Sequence, residues 1–87
     1  MRQTTVTITH PEGLHARPAA EFVRAAAGFA CSVRLRLGDR EVDGKSILEV
    51  LSLGAREGTT LTLLCDGPDS EAALTTLRGL LIGRQSG

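Results

Sequence analysis

The sequence predicts an α+β fold, an open-faced β-sandwich in which a four-stranded antiparallel sheet is covered on one face by three helices in the order β-α-β-β-α-β-α. Two observations carry this expectation. The strand-like stretches alternate apolar and polar residues, so each has one dry and one wet face; Val33, Leu35 and Leu37 against Ser32, Arg34 and Arg36 show it most clearly. The helical stretches carry apolar stripes at helical spacing and can cover only that dry face. A doubly wound parallel sheet fits worse, because the strands are not apolar on both faces and no Gly-x-Gly-x-x-Gly is present.

The elements follow in order. From Gln3 to Thr9, Thr4, Val6 and Ile8 alternate with Thr5, Thr7 and Thr9, a β-branched strand that His10-Pro11-Glu12-Gly13 closes. A helix begins near His15 or Ala16, because Pro18 is tolerated only in a first turn, where its missing N–H had no partner. Ala16 to Ala27 sets Ala19, Phe22, Val23 and Ala26 on one face. Gly28 then serves as the C′ residue, with Phe29 packing back. The second strand ends at Leu37, and Gly38-Asp39 turns it into a short, charged edge strand, Arg40–Asp43. Ser46-Ile47-Leu48-Glu49 matches the capping box, in which the Glu49 carboxylate returns to the Ser46 N–H, and opens a helix running to Leu53 before Gly54. Ile47, Leu48, Val50, Leu51 and Leu53 are too many for one narrow stripe, so some must be exposed or must face a partner. Thr59 to Cys65 is the fourth strand, with Leu61, Leu63 and Cys65 inward and Thr60, Thr62 and Leu64 outward. Asp66-Gly67-Pro68-Asp69-Ser70 supplies a turn and N-cap, and Ala73, Leu74, Leu77, Leu80 and Leu81 stripe the last helix. Gln85-Ser86-Gly87 should fray.

Length and composition bound the function. The 87 residues suit a single domain, 1–87, with no room for a separate substrate domain. Ten basic and ten acidic residues leave no net field to hold nucleic acid or an anionic membrane. With no Trp or Tyr, and only Phe22 and Phe29 aromatic, base stacking is disfavoured. No apolar run is long enough to span a bilayer and Met1 to His10 has no secretory pattern, so a cytoplasmic protein is expected. Cys31 and Cys65 read as reduced thiols, brought close if the second and fourth strands are antiparallel neighbours. A metal site built from His10 and His15 with Cys31 or Cys65 matches no zinc spacing, so neither metal nor cofactor is expected.

The chemistry concentrates in Gly13-Leu14-His15-Ala16-Arg17-Pro18-Ala19-Ala20. A helix start leaves its first N–H groups unpaired and carries about half a positive charge, which favours an anion. His15 stands at that junction, and the backbone N–H groups of Ala16 and Arg17 can cradle a phosphate. Arg17 opposes the helix dipole, a cost that points to an anionic partner. Neutral imidazole attacks phosphorus without a separate base, and phosphoryl transfer needs mainly positioning and charge stabilisation.

These residues resemble the active-site signature of the histidine-containing phosphocarrier (HPr) family of the bacterial phosphoenolpyruvate-dependent sugar phosphotransferase system. Lys45-Ser46-Ile47-Leu48, followed by Leu53-Gly54, is similar to that family's regulatory-serine segment. The resemblance runs end to end. It implies a stoichiometric carrier rather than an enzyme: His15 accepts a phosphoryl group from phospho-enzyme I as a pros-phosphohistidine and gives it to IIA domains of sugar permeases, with Arg17 assisting. It also implies regulation at Ser46 by a kinase and phosphatase in some bacteria, with a transcriptional regulator as a further partner; separately, the surplus apolar residues of the second helix predict that at least two of Ile47, Leu48 and Leu51 form a docking patch next to His15, on a monomer. The alternative is a regulatory paralogue, of a nitrogen-type or catabolite-control branch, acting through protein–protein binding. Glu12, an acid where a neutral residue is common, and His10 depart from the family's usual pattern.

Overall fold

The computed structural model describes residues 1–82; Gln85, Ser86 and Gly87, expected to fray, lie outside the described residues. The alternating stretches form β1 (Arg2–Thr7), β2 (Ser32–Leu37), β3 (Arg40–Asp43) and β4 (Thr60–Asp66), and the striped ones form α1 (Ala16–Ala27), α2 (Ile47–Ser52) and α3 (Ser70–Leu81). The strands make one antiparallel sheet in the order β1-β4-β2-β3. Its register sets Val6 opposite Leu61, Leu35 opposite both Leu63 and Val42, and Val33 opposite Cys65. One pleat therefore gathers the inward side chains, and the helices cover it with Ala19, Phe22 and Ala26 from α1, Val50 from α2, and Ala73, Leu77 and Leu81 from α3. Val23, Leu74 and Leu80, placed on the same stripes, are half-buried at the rim of this core.

Several local expectations change in the folded chain. β1 stops at Thr7 rather than Thr9, because its partner begins at Thr60; Ile8 instead bonds the loop before β4, donating to the Thr59 carbonyl (2.8 Å) and accepting from Gly58 N–H (2.7 Å). β4 runs one residue later than its alternation suggests. Its Leu64, assigned to the wet face, is only 6% exposed, since on this central strand it lies between Gln3 and Arg34 in the register. Gly28 does not adopt the left-handed C′ conformation. It is right-handed (φ −79°), and Gly28 and Phe29 close the helix by bonding back to Ala25 and Ala26. The left-handed helix-ending glycine is Gly54 (φ +64°), after Leu53 caps α2.

The capping box at α2 is only half formed. Ser46 Oγ accepts from Glu49 N–H (3.3 Å), but the Glu49 carboxylate takes the N–H of Asp43 (2.9 Å), leaving Ser46 N–H to the Asp43 carbonyl (3.1 Å). Glu49 thus ties α2 to the end of β3. A similar exchange occurs at α3. Asp69 occupies the N-cap but makes no side-chain cap bond, because its carboxylate accepts from Ala30 N–H (2.8 Å) and Cys31 N–H (2.9 Å). Those bonds hold its carboxyl below the usual carboxylate range, the Ala30 bond contributing most.

Candidate functional site

His15 is exposed and occupies the N-cap of α1 in an extended conformation (φ −146°, ψ 159°), with no side-chain bond to the helix. Its imidazole is therefore not consumed by capping. The next residue, Ala16, is left-handed (φ +50°), a conformation that costs a side-chain-bearing residue about 1–2 kcal/mol. This sharp bend lets the chain enter the helix directly from an extended histidine. Neither Ala16 N–H nor Arg17 N–H has an acceptor among the described residues, Pro18 has none to offer, and Ala19 N–H makes only a long bond to the His15 carbonyl (3.5 Å). The helix start thus presents two unsatisfied donors beside the imidazole, with no acidic residue in the first turn to compete for them. Arg17 is exposed and makes no ion pair among the described residues.

The floor of this site is rigid. Leu14 is buried and its N–H donates to the Ala55 carbonyl (3.0 Å), while Pro18 and Ala19 are buried under the first turn. Gly13 is left-handed (φ +67°), and a Cβ there would lie 2.7 Å from the Ala55 carbonyl oxygen and 2.8 Å from Arg56 Cα. The loop carrying His15 is therefore pressed against the segment leaving α2. Sequence reasoning missed this Gly54–Arg56 support, for which the only local signal is the pair of glycines, Gly54 and Gly58, bracketing a tight loop.

α2 packs beside α1, and the segment leaving it, Ala55 and Arg56, meets that loop, while Lys45 at its start reaches the Phe29 carbonyl beyond the other end of α1. Leu48 is 78% exposed and Ile47 38%, the large apolar residues most open to solvent apart from Met1. Leu51, assigned to the same patch, is half-buried against the core and contributes only an edge. Ser46 is half-buried at the N-cap, with Lys45 beside it donating from Nζ to the Phe29 carbonyl (2.8 Å). The fold sets His15, Ala16 and Arg17 at the start of α1 and Ser46, Ile47 and Leu48 at the start of α2, and it is the far end of α2, through Ala55, that bonds the His15 loop.

The remaining candidates lie apart. His10 is half-buried with Nδ1 unpartnered, and its carbonyl accepts from Gly13 N–H (2.9 Å), so its backbone shapes the turn before the site. Cys31 and Cys65 are buried and free. No cluster of three or more His, Cys, Asp or Glu able to hold a metal occurs among the described residues. No helix among them is long and apolar enough to cross a membrane.

Residues 2–82 match the family model described as the PTS HPr component phosphorylation site. The chain belongs to the HPr family. It is 40% identical to the phosphocarrier protein HPr of Cupriavidus necator, over 97% of this chain and 94% of that protein. It also resembles a stretch of the multiphosphoryl transfer protein of Xanthomonas campestris, with 41% identity over 86% of this chain but only 9% of that much longer protein. Among solved structures, HPr from Thermoanaerobacter tengcongensis superposes with a TM-score of 0.92 at 35% identity, covering 99% of this chain and 100% of the other. The fold is that of HPr, and HPr proteins are phosphocarriers of the phosphotransferase system.

Proposed function

We propose that this HPr-family chain carries a phosphoryl group on His15, accepting it from phospho-enzyme I and delivering it to IIA domains of sugar permeases. The observation that carries this reading is the exposed, uncapped imidazole beside two unsatisfied backbone N–H groups, in a chain whose residues 2–82 match the HPr family model. In the transfer, the His15 Nδ1 lone pair attacks phosphorus while the bond to the donor breaks and its electrons stay with the donor. The Ala16 and Arg17 N–H groups and the Arg17 guanidinium then receive the charge on the phosphoryl oxygens. The helix dipole adds about 0.3–1 kcal/mol in favour of that anion. An exposed site without a closed pocket lets two partners reach the same imidazole in turn, and Ile47 and Leu48, edged by Leu51, form the apolar surface on which both dock.

Ser46 regulates that docking. A phosphate on its hydroxyl adds about −1.5 to −2 charges. At the N-cap it suits the dipole of α2, but it lies next to Ile47 and Leu48, where a partner would have to desolvate it. The carrier works as a cytoplasmic monomer, which light scattering tests. The test of the main reading is incubation with phosphoenolpyruvate and enzyme I followed by intact-mass measurement. Wild type gains one acid-labile phosphoryl group and His15→Ala, folded by circular dichroism, gains none. An acid-labile phosphate on the variant overturns the reading.

A further inference from the structure

We propose that Arg56 is a second guanidinium contact for the phosphoryl group on His15, acting beside Arg17; the proposal rests on His15 being the carrier residue. The backbone of Arg56 is held from three sides. Its N–H donates to Thr59 Oγ1 (3.0 Å), its carbonyl accepts from Thr59 N–H (3.0 Å), and Gly13 approaches so closely that a Cβ there would stand 2.8 Å from Arg56 Cα and 3.2 Å from its carbonyl carbon. The preceding carbonyl, that of Ala55, accepts from Leu14 N–H (3.0 Å). Arg56 is thus fastened to the residue two before His15. Successive Cα atoms lie 3.80 Å apart, so the His15 Cα is at most about 7.6 Å from that of Gly13, a span that an extended arginine and an imidazole bridge together.

The charge distribution gives this cation a task. Arg2, Arg34 and Arg36 pair with carboxylates, and Arg40 donates to Ser52, whereas Arg56 is exposed and its side chain has no partner among the described residues. Glu12, in the same loop as His15, is also exposed and outside any ion pair among those residues. A phosphoryl dianion on His15 would feel that carboxylate with only Arg17 to offset it. Arg56 supplies the balancing charge, and a planar guanidinium fork matches two phosphoryl oxygens.

The test uses the full chain phosphorylated by enzyme I and phosphoenolpyruvate, with the phosphohistidine titrated by 31P NMR. A nearby cation favours the dianion, so Arg56→Gln should raise the phosphoryl group's second ionisation by about 0.3–1 unit, with Arg56→Lys retaining part of the effect. Arg2→Gln, at the far end of β1, controls for net charge and should leave the titration in place. A folded Arg56→Gln whose titration overlays the wild type overturns the proposal. Should that variant not fold, the wild-type Arg56 side-chain 15N signal decides: a shift on phosphorylation supports the contact, and an unmoved signal overturns it. Failure of the wild type to take phosphate on His15 sinks the underlying reading instead, and is recognised before any variant is made.

Discussion

Replacing Gly13 by alanine tests the close approach that supports the site. Two costs add. The residue must hold φ at +67°, worth about 1 kcal/mol for a side-chain-bearing residue, and its Cβ meets the Ala55 carbonyl oxygen at 2.7 Å and Arg56 Cα at 2.8 Å. Both obstacles are backbone, so no side chain can swing away, and forced overpacking costs about 1–3 kcal/mol. The sum is about 2–4 kcal/mol, or a melting temperature lower by about 10–25 °C in a domain of this size. Gly54→Ala is the internal control. Its φ of +64° carries the same conformational cost, but a Cβ there meets nothing within 4 Å, so about 1 kcal/mol is expected. Urea titrations of the three proteins give the comparison, and the excess at Gly13 measures the steric part. If the two variants lose the same stability, the His15 loop does not rest on Ala55 and Arg56 as described.

Leu48→Ala should change stability by less than about 0.5 kcal/mol, because the side chain is 78% exposed, yet raise the KM for enzyme I about tenfold or more; an unchanged KM removes Leu48 from the docking surface. Ser46→Asp keeps an N-cap acceptor and should melt near the wild type, while transfer slows several-fold to about a hundredfold; wild-type kinetics would leave Ser46 as only a cap. Asp69 is more acidic in the folded chain, so the unfolded chain binds its proton more readily. Its contribution is complete above the unfolded carboxyl pKa and disappears as pH falls through the folded one, and Asp69→Asn should flatten the acid limb of a urea-midpoint profile; a profile parallel to wild type counts against the clamp on Ala30 and Cys31. Burial, followed by the neighbouring Cys31, pushes the Cys65 thiol up to about 11, so the native protein should react with a thiol reagent far more slowly than a free cysteine, and a fast native reaction would contradict this packing.

The sequence made local decisions readable and left meeting points obscure. Pro18 fixed the start of α1 because its constraint lies within its own turn, and the alternation through Val33, Leu35 and Leu37 identified β2 and its dry face. His15 and Ala16 were legible as a junction, but the left-handed turn at Ala16 was not, since alanine carries no signature for it. Glu49 had two N–H groups within reach, and the choice of Asp43 over Ser46 depends on how β3 delivers the chain to α2. Asp69 looked like a cap because nothing near it in sequence reveals that Ala30 and Cys31 arrive with empty N–H groups. Leu64 looked exposed because alternation reports which face a residue points to, not how deeply its neighbours on β1 and β2 cover it. The adjacency of β2 and β4 was not readable in the sequence, which says only that Cys31 and Cys65 come close if those strands are antiparallel neighbours. In the observed register Cys65 lies opposite Val33, and Cys31 is two residues before Val33, which makes the thiols diagonal neighbours.

The strand order also governs when the molecule can come into being on the ribosome. β1 is made first, yet its sole partner is β4, with Arg2 opposite Cys65 and Thr7 opposite Thr60. A nascent chain that has emerged only through α2 holds the His15 segment and the β2–β3 hairpin, but no strand to join them. Its first strand has an unpaired ladder, and the inner faces of β1 and β2 have no Leu61 or Leu63 between them. Closure waits for a contact between the two ends of the chain, the kind of long-range pairing that slows folding and leaves apolar edges open meanwhile. Synthesis must pass β4 before the histidine's loop is held in place, so a chain truncated ahead of Thr60 has no partial carrier activity to offer and an exposed β1 edge to shield.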